Sequence, residues 1–220
     1  AYKAEAFFTP KQDLDGLKQN TDLKADLPNV LLIGDSISIG YTPPTIELLK
    51  GVANVQRAKA NCGDTNRGRS ALKKWLKRTK WDVIHFNWGL HDLCYRHPDS
   101  KVQGNRDKVN GTIAVPLAEY EKNLEALVLE LKQTGATLVW ASTTVVPEGE
   151  AGRVLGDDVR YNTAAAKIMK KHGIAVNDLH ALSTSFNGEY SAPGNVHFSK
   201  PGSAKLAEQV AESIREQLSL

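Results

Sequence analysis

The sequence predicts an α/β fold: one parallel β-sheet with helices over both faces. Three observations carry this. Short apolar runs alternate with longer helical patterns five times along the 220 residues, which is the order of successive βαβ units. Neither an internal repeat nor a linker interrupts the alternation. The first run, Val30-Leu31-Leu32-Ile33, stops abruptly at Gly34-Asp35-Ser36, as a strand buried on both faces of a parallel sheet does at its C-terminal edge.

The elements follow in order. Residues 1–28 are polar and irregular, and Phe7-Phe8 is their one strong apolar pair. They are expected to form an arm that packs back on the domain at 29–220. The first strand is placed at Asn29–Ile33, and Pro43-Pro44 predict that a helix begins there and runs to Lys50, since proline suits a first helical turn. A second strand at Asn54–Ala58 leads to a turn-rich loop, Asn61-Cys62-Gly63-Asp64-Thr65. The helix expected over Arg67–Arg78 has Ala71, Leu72, Trp75 and Leu76 on one face. The third strand, Asp82–Trp88, ends in Gly89-Leu90-His91-Asp92. Residues 95–112 read as a long polar loop, a length that often marks a binding loop. Leu117, Tyr120, Leu124, Leu127, Val128 and Leu131 set the helix Pro116–Gln133, which Gly135 ends. The fourth strand, Thr137–Val146, closes at Pro147. A loop over 148–156 precedes a helix from Asp157 to His172, and the fifth strand is Ile174–Asn177. The last helix runs from Pro201 to Gln217.

In an open α/β sheet ligands bind at the C-terminal ends of the strands. Four loops on that edge bring Ser36, Gly63, Gly89–Asp92 and His197. Acyl transfer needs such a set. A serine hydroxyl is a poor nucleophile until a base takes its proton, and histidine titrates in the right range. The developing oxyanion needs fixed donors, here the N–H groups of Ser36 and Gly63, with His91 or Asn87 as a third. The alternative for Ser36 alone is a helix cap. Asp35 reads better as a cap or loop hydrogen-bonder than as a catalytic group, and Asp92 as a tie between its loop and nearby N–H groups.

These residues resemble the SGNH or GDSL hydrolases. Gly34-Asp35-Ser36-Ile37 is similar to the block that carries the nucleophile, and Gly63 to the second-block glycine. Gly89-Leu90-His91-Asp92 is similar to Gly-x-Asn-Asp, and Val196-His197-Phe198-Ser199 to the end of Asp-x-x-His. The resemblance spans residues 29–218. It implies a three-layer α/β/α sandwich with a five-stranded parallel sheet of flavodoxin-like order, and ester hydrolysis with Ser36 as nucleophile, His197 as base and no cofactor or metal.

Two positions depart from the pattern. His91 stands where the family has Asn; its imidazole N–H can serve as oxyanion donor or make a structural hydrogen bond. Gly194 stands where the family has the acid that orients the histidine. Neutralising that acid costs a serine protease about 10⁴ in turnover. The chain is then either a natural Ser–His dyad or a triad whose acid has been replaced. Asn195, two residues before His197, is neutral and at best positions the ring. Asp178 with His180 forms a second acid–histidine pair outside the family pattern. His85 reads as a core residue, and His97 and His172 as exposed.

Cys62 and Cys94 sit in the second and third loops. They are either separate buried thiols or a disulfide bracing the oxyanion region in an oxidising compartment. Tyr41, Arg67, Arg69, Trp88, Tyr95, Arg96, Arg153 and Tyr190 lie near the active edge and suit a polar ligand such as a sugar. By family analogy the expected reaction is removal of acetyl groups from a carbohydrate. The alternatives are another esterase, lysophospholipase or thioesterase, or a catalytically weak protein that binds acylated glycans.

The net charge of +3 is too small to argue for nucleic acid. The basic residues around Leu72 and Trp75 read as a solvated helix face. No apolar stretch approaches the ~20 residues of a membrane span. Ala1-Tyr2-Lys3-Ala4-Glu5 is not a signal peptide. A secreted or periplasmic protein is expected, with the cytoplasm left open; the oligomeric state is not legible.

Overall fold

The computed structural model describes residues 20–77 and 79–219. The expected packing of Phe7-Phe8 lies outside these residues. The central sheet holds β1 (Asn29–Ile33), β2 (Asn54–Arg57), β3 (Val83–Phe86), β6 (Thr137–Ala141) and β7 (Ala175–Asn177). Every pairing is parallel, in the order β2-β1-β3-β6-β7. A small antiparallel pair, β4 (Tyr95–Arg96) with β5 (Thr112–Ile113), stands apart. The helices are α1 (Ser36–Leu48), α2 (Thr65–Leu76), α3 (Leu117–Lys132), α4 (Asp157–His172), α5 (Leu179–Thr184) and α6 (Lys200–Leu218). Helices α1 and α6 pack together, and α3 packs against both α2 and α4, so the sheet is covered on both sides as the alternation predicts.

Val30–Ile33 of β1 and Val83–Phe86 of β3 are buried throughout. Their register pairs Val30 with Val83 and Ile33 with Phe86. The two strands therefore end level, and the loops carrying Ser36 and His91 emerge side by side. On α3, Tyr120, Leu124, Leu127, Val128 and Leu131 are all buried, the face the spacing predicts. Lys73, Lys74 and Lys77 are exposed, a solvated face.

Helix α1 begins eight residues before the predicted start, and Pro43 and Pro44 lie inside it. Interior prolines remove ladder hydrogen bonds and usually break a helix. Here Asp35 supplies the stronger signal: its carboxylate caps the helix by accepting from Ile37 N at 2.9 Å. Thr42 Oγ1 and Thr45 Oγ1 donate to carbonyls one turn back, at 2.6 and 2.7 Å, on either side of the prolines. The fourth strand is shorter than predicted, because its neighbour β7 ends at Asn177 and Ser142 N makes the last bond to it, 3.0 Å from Asn177 O. Helix α5 was not expected; Asp178 caps it by accepting from Ala181 N.

Residues 95–112 are not a plain loop. Tyr95 N donates to Gly152 O at 2.7 Å and Lys108 N to Ala151 O at 2.9 Å, so this segment and the 148–156 loop are knitted over the active edge. Gly89 allows another close approach. A Cβ there would meet Thr143 Oγ1 at 1.9 Å and Thr143 Cβ at 3.0 Å. Gly89→Ala is expected to lower stability by about 1–3 kcal/mol, measured by chemical denaturation. Adding Thr143→Ala should recover part of the loss; no recovery would locate the strain elsewhere.

Candidate active site

Ser36 is the first residue of α1, directly after its Asp35 cap. Its backbone N–H points out of the helix start, where the first turn leaves its donors without intrahelical partners. The turn beneath it is held by Arg57, a buried residue of β2 that sequence reasoning missed. Arg57 Nη2 donates to Gly34 O at 3.1 Å and to Ser38 Oγ at 2.9 Å, and Nη1 to Ala58 O and Ala60 O. A guanidinium surrounded by carbonyls can satisfy several backbone acceptors at once.

His197 arrives from the loop before α6. Its Nε2 lies 2.8 Å from Ser36 Oγ, and its Nδ1 lies 2.8 Å from Asn195 Oδ1. The same Asn195 oxygen accepts from the backbone N of His197 at 3.0 Å. A backbone N–H can only donate, so the amide atom facing it is the oxygen. Nδ1 therefore carries a proton, and Nε2 is left as the acceptor for the serine hydroxyl. That is the tautomer a general base requires. Loss of solvation, and then the charges of Arg153 and Arg106, push the imidazole pKa down to about 4, with Glu150 opposing them. His197 is neutral at neutral pH.

Gly194 is not an empty seat for an acid. It has φ +67°, and a Cβ there would lie 2.9 Å from Gly149 O and 3.0 Å from Gly149 C. Gly194→Asp, read from sequence as restoring a triad, is expected to cost about 1–3 kcal/mol and to lower ester hydrolysis. Thermal unfolding and a rate assay check this. A large gain in rate would show that a side chain at 194 reaches Nδ1 after all.

The remaining predicted residues separate. Asp35 caps α1, and burial pushes its pKa up. Asn87 donates to Ala141 O at 2.7 Å, which ties it to the sheet. Asp92 is fully buried and accepts from Thr65 N and Thr65 Oγ1 at 2.8 and 2.5 Å. Burial drives its pKa well up, matching an Oδ2 that has no partner. Gly63 N donates to Asn61 Oδ1 at 3.0 Å, so its N–H faces Asn61. That bond orients the Asn61 amide, and Asn61 itself lines the cavity with Ser36, Leu90 and His91. Loss of solvation, with the nearby Arg96 and Arg153 charges, pushes the His91 pKa well down, which leaves a neutral imidazole.

Other expectations are corrected. Cys62 and Cys94 are separate buried thiols, with no disulfide; burial pushes the Cys62 thiol up to about 11. Tyr41 and Trp88 are buried in the core at 1% and 0% exposure, and Tyr190 stacks on Phe198 with ring centroids 5.1 Å apart. None of them lines the cavity at Ser36. Arg67 and Arg69 do not line it either; Arg96 and Arg153 do, joined by Arg106, which sequence reasoning missed. His180 pairs with Asp158 at 2.8 Å rather than with Asp178, which bonds Ser142 Oγ. His85 is a core residue, as expected, beside Asn177. His97 and His172 are half-buried rather than exposed, and His172 bonds Glu125 at 3.1 Å.

The cavity at Ser36 measures about 60 Å³. A second cleft of about 350 Å³, lined by Pro43, Pro44, Phe198 and Ala204, also opens on Ser36 and His197. A larger hollow of about 940 Å³ lies at the opposite end of the sheet, by Trp81 and Arg215, and contains neither residue of the pair. Among the described residues no group of three or more His, Cys, Asp or Glu could hold a metal ion.

A 2-1-3-4-5 parallel sheet with a serine and a histidine paired at its C-terminal edge defines a hydrolase of the SGNH class. The chain belongs to the GDSL-like lipase/acylhydrolase family, whose sequence profile matches residues 32–205. No curated protein matches the sequence. Among solved structures, a lipase/acylhydrolase from Enterococcus faecalis aligns at TM-score 0.69 and 20% identity, covering 86% of this chain and 96% of that one. The acetyl xylan esterase AlAXEase aligns at TM-score 0.68 and 16% identity, covering 84% and 99%. An acetylxylan esterase from Geobacillus stearothermophilus aligns at TM-score 0.63 and 16% identity, covering 87% and 94%. At these identities the likeness is one of fold.

Proposed function

We propose that the chain is a serine esterase that removes small acyl groups, acetyl foremost, from a hydroxylated substrate such as a carbohydrate. The observation that carries this is the relay Ser36 Oγ, His197 Nε2, His197 Nδ1, Asn195 Oδ1, with both links at 2.8 Å. Ser36 Oγ attacks the ester carbonyl as its proton passes to Nε2. The tetrahedral oxyanion is met by the Ser36 N–H, the Asn61 side-chain amide and the His91 imidazole. The imidazolium then gives its proton to the departing alkoxide, and water, deprotonated by His197, releases the acid. Asn195 holds the ring in the productive tautomer without adding a charge.

The cavity at Ser36, about 60 Å³, is much smaller than the neighbouring cleft of about 350 Å³, which supports a small acyl group on its side. The wider cleft beside Pro44 and Phe198 leaves room for the alcohol. The acetyl xylan esterase neighbours are consistent with a carbohydrate on that side.

The test uses the intact protein with p-nitrophenyl acetate and with acetylated xylo-oligosaccharides, together with a fluorophosphonate whose adduct is located by peptide mass spectrometry. Hydrolysis with the adduct on Ser36 is expected. Absence of both hydrolysis and adduct would overturn the esterase reading and favour a binding protein.

A further inference from the structure

The walls of the Ser36 cavity carry a feature that an acetyl group on a neutral sugar does not use. Among the described residues three guanidinium groups, Arg96, Arg106 and Arg153, line it, and no Phe, Tyr or Trp does. Neutral sugars are commonly held by aromatic faces and amide groups; a guanidinium matches a carboxylate, with two parallel N–H donors.

Arg153 is the sharpest of the three. It is only 4% exposed, and a buried cation is costly unless it is paired. Its Nε donates to Leu90 O at 2.8 Å, which anchors it to the third-block loop. Its Nη1 is buried with no hydrogen-bond partner among the described residues, although Glu150 Oε1 lies 3.3 Å away as a counter-charge. Glu150, fully buried, is already committed elsewhere: Oε1 accepts from Arg106 Nη1, and Oε2 from Gly152 N at 2.8 Å. One glutamate thus serves two arginines. The one acid among the described residues that lines the cavity, Asp35, is used as the cap of α1. Arg153 therefore keeps a donor without a partner among the described residues, on the wall of the cavity that holds Ser36. The field reaches the reacting base, since Arg153 and Arg106 both act on the charge state of His197.

We infer that this site selects esters carrying a carboxylate close to the scissile bond, with Arg153 as its receptor and Arg106 beside it. The inference rests on the esterase reading and adds its substrate class. The carboxylate belongs either to the alcohol, as in a uronic acid, or to the acyl group, as in a hemiester of a dicarboxylic acid; the recognition chemistry is the same.

Two ester pairs test this on the intact protein. One is 3-acetoxybenzoate against methyl 3-acetoxybenzoate, with the charge on the alcohol side. The other is monophenyl succinate against phenyl methyl succinate, with the charge on the acyl side. In at least one pair kcat/KM for the anionic member is expected to exceed that of the neutral one by about 10- to 100-fold, the worth of a charge-assisted hydrogen bond. The pair that shows it identifies the side. Arg153→Met should bring that ratio to about 1, and Arg153→Lys should restore part of it. A ratio within one protein does not depend on how much of the preparation is folded. Hydrolysis of both members at equal rates in both pairs would overturn the inference and leave the esterase standing. An unchanged ratio in Arg153→Met would overturn the role of Arg153.

Failure of the esterase reading is separable. Ligand-observed NMR with the Ser36→Ala protein compares binding of the same pairs without turnover. Preferential binding of an anionic ester would support the anion site even if no ester is cleaved, and equal binding would overturn it.

Discussion

Ser36→Ala and His197→Ala are each expected to lower kcat/KM for p-nitrophenyl acetate by about 10⁴- to 10⁶-fold, and the double variant by no more than the worse single one. The reason is that the two side chains act as one device. Without the 2.8 Å contact to Nε2 the hydroxyl keeps its proton, and without the hydroxyl the base has nothing to activate. Neither change should unfold the protein. Among the described residues Ser36 Oγ bonds His197 alone, and the α1 start is held independently by Asp35 and Arg57. Circular dichroism and thermal melts of both variants should match the parent. The double-variant comparison decides the matter: losses that multiply would mean that the two residues act separately, and a Ser36→Ala protein retaining a tenth of the activity would place the nucleophile elsewhere.

The second large effect is a gain. Asn195→Asp is expected to raise the plateau of kcat/KM by about 10- to 100-fold. The comparison with a serine protease, where the reverse change costs about 10⁴, sets an upper limit. Much of that cost is a wrong tautomer, whereas here the backbone N–H of His197 already directs Asn195 Oδ1 toward Nδ1. What the carboxylate adds is charge to stabilise the imidazolium. The same charge changes the pH profile in a defined direction. With the His197 pKa pushed down to about 4, kcat/KM of the parent should rise through that pH and be flat above pH about 5, where the base is already neutral. A carboxylate on Nδ1 raises the imidazole pKa, so in the variant the rise moves toward neutral pH. The gain should be largest at pH 8 and shrink as pH falls. A variant with no gain at pH 8 and an unmoved acid limb would mean that Asn195 does not touch the ring in solution.

Helix α3 was fully legible because its apolar spacing is local, and so was the end of β1, where a buried run meets Gly-Asp-Ser. Pro43 and Pro44 misled about α1, since the rule that proline opens helices is outweighed there by the Asp35 cap, a signal just as local. The aromatic residues misled for another reason. Trp88 and Tyr41 lie within a few residues of site residues in sequence, yet both side chains are buried in the core, Tyr41 on the inward face of α1. Of the cavity's arginines, Arg96 and Arg153 could be placed near the active edge from sequence, but Arg106 could not: it meets Glu150 across 44 positions.

The order of elements, the parallel sheet, and the arrival of Ser36 and His197 at one edge were determined by the sequence alone, because periodicity and the βαβ rule need only local pattern and chain order. Tertiary structure decided what completes the pair. It gave Nδ1 the Asn195 amide, closed position 194 to any side chain by the approach of Gly149, kept the two thiols apart and gathered three arginines beside Ser36. Apart from the Asn195–His197 bond, which lies within one loop, these depend on how segments far apart in the chain lie against one another, where a shift of one ångström makes or breaks a hydrogen bond.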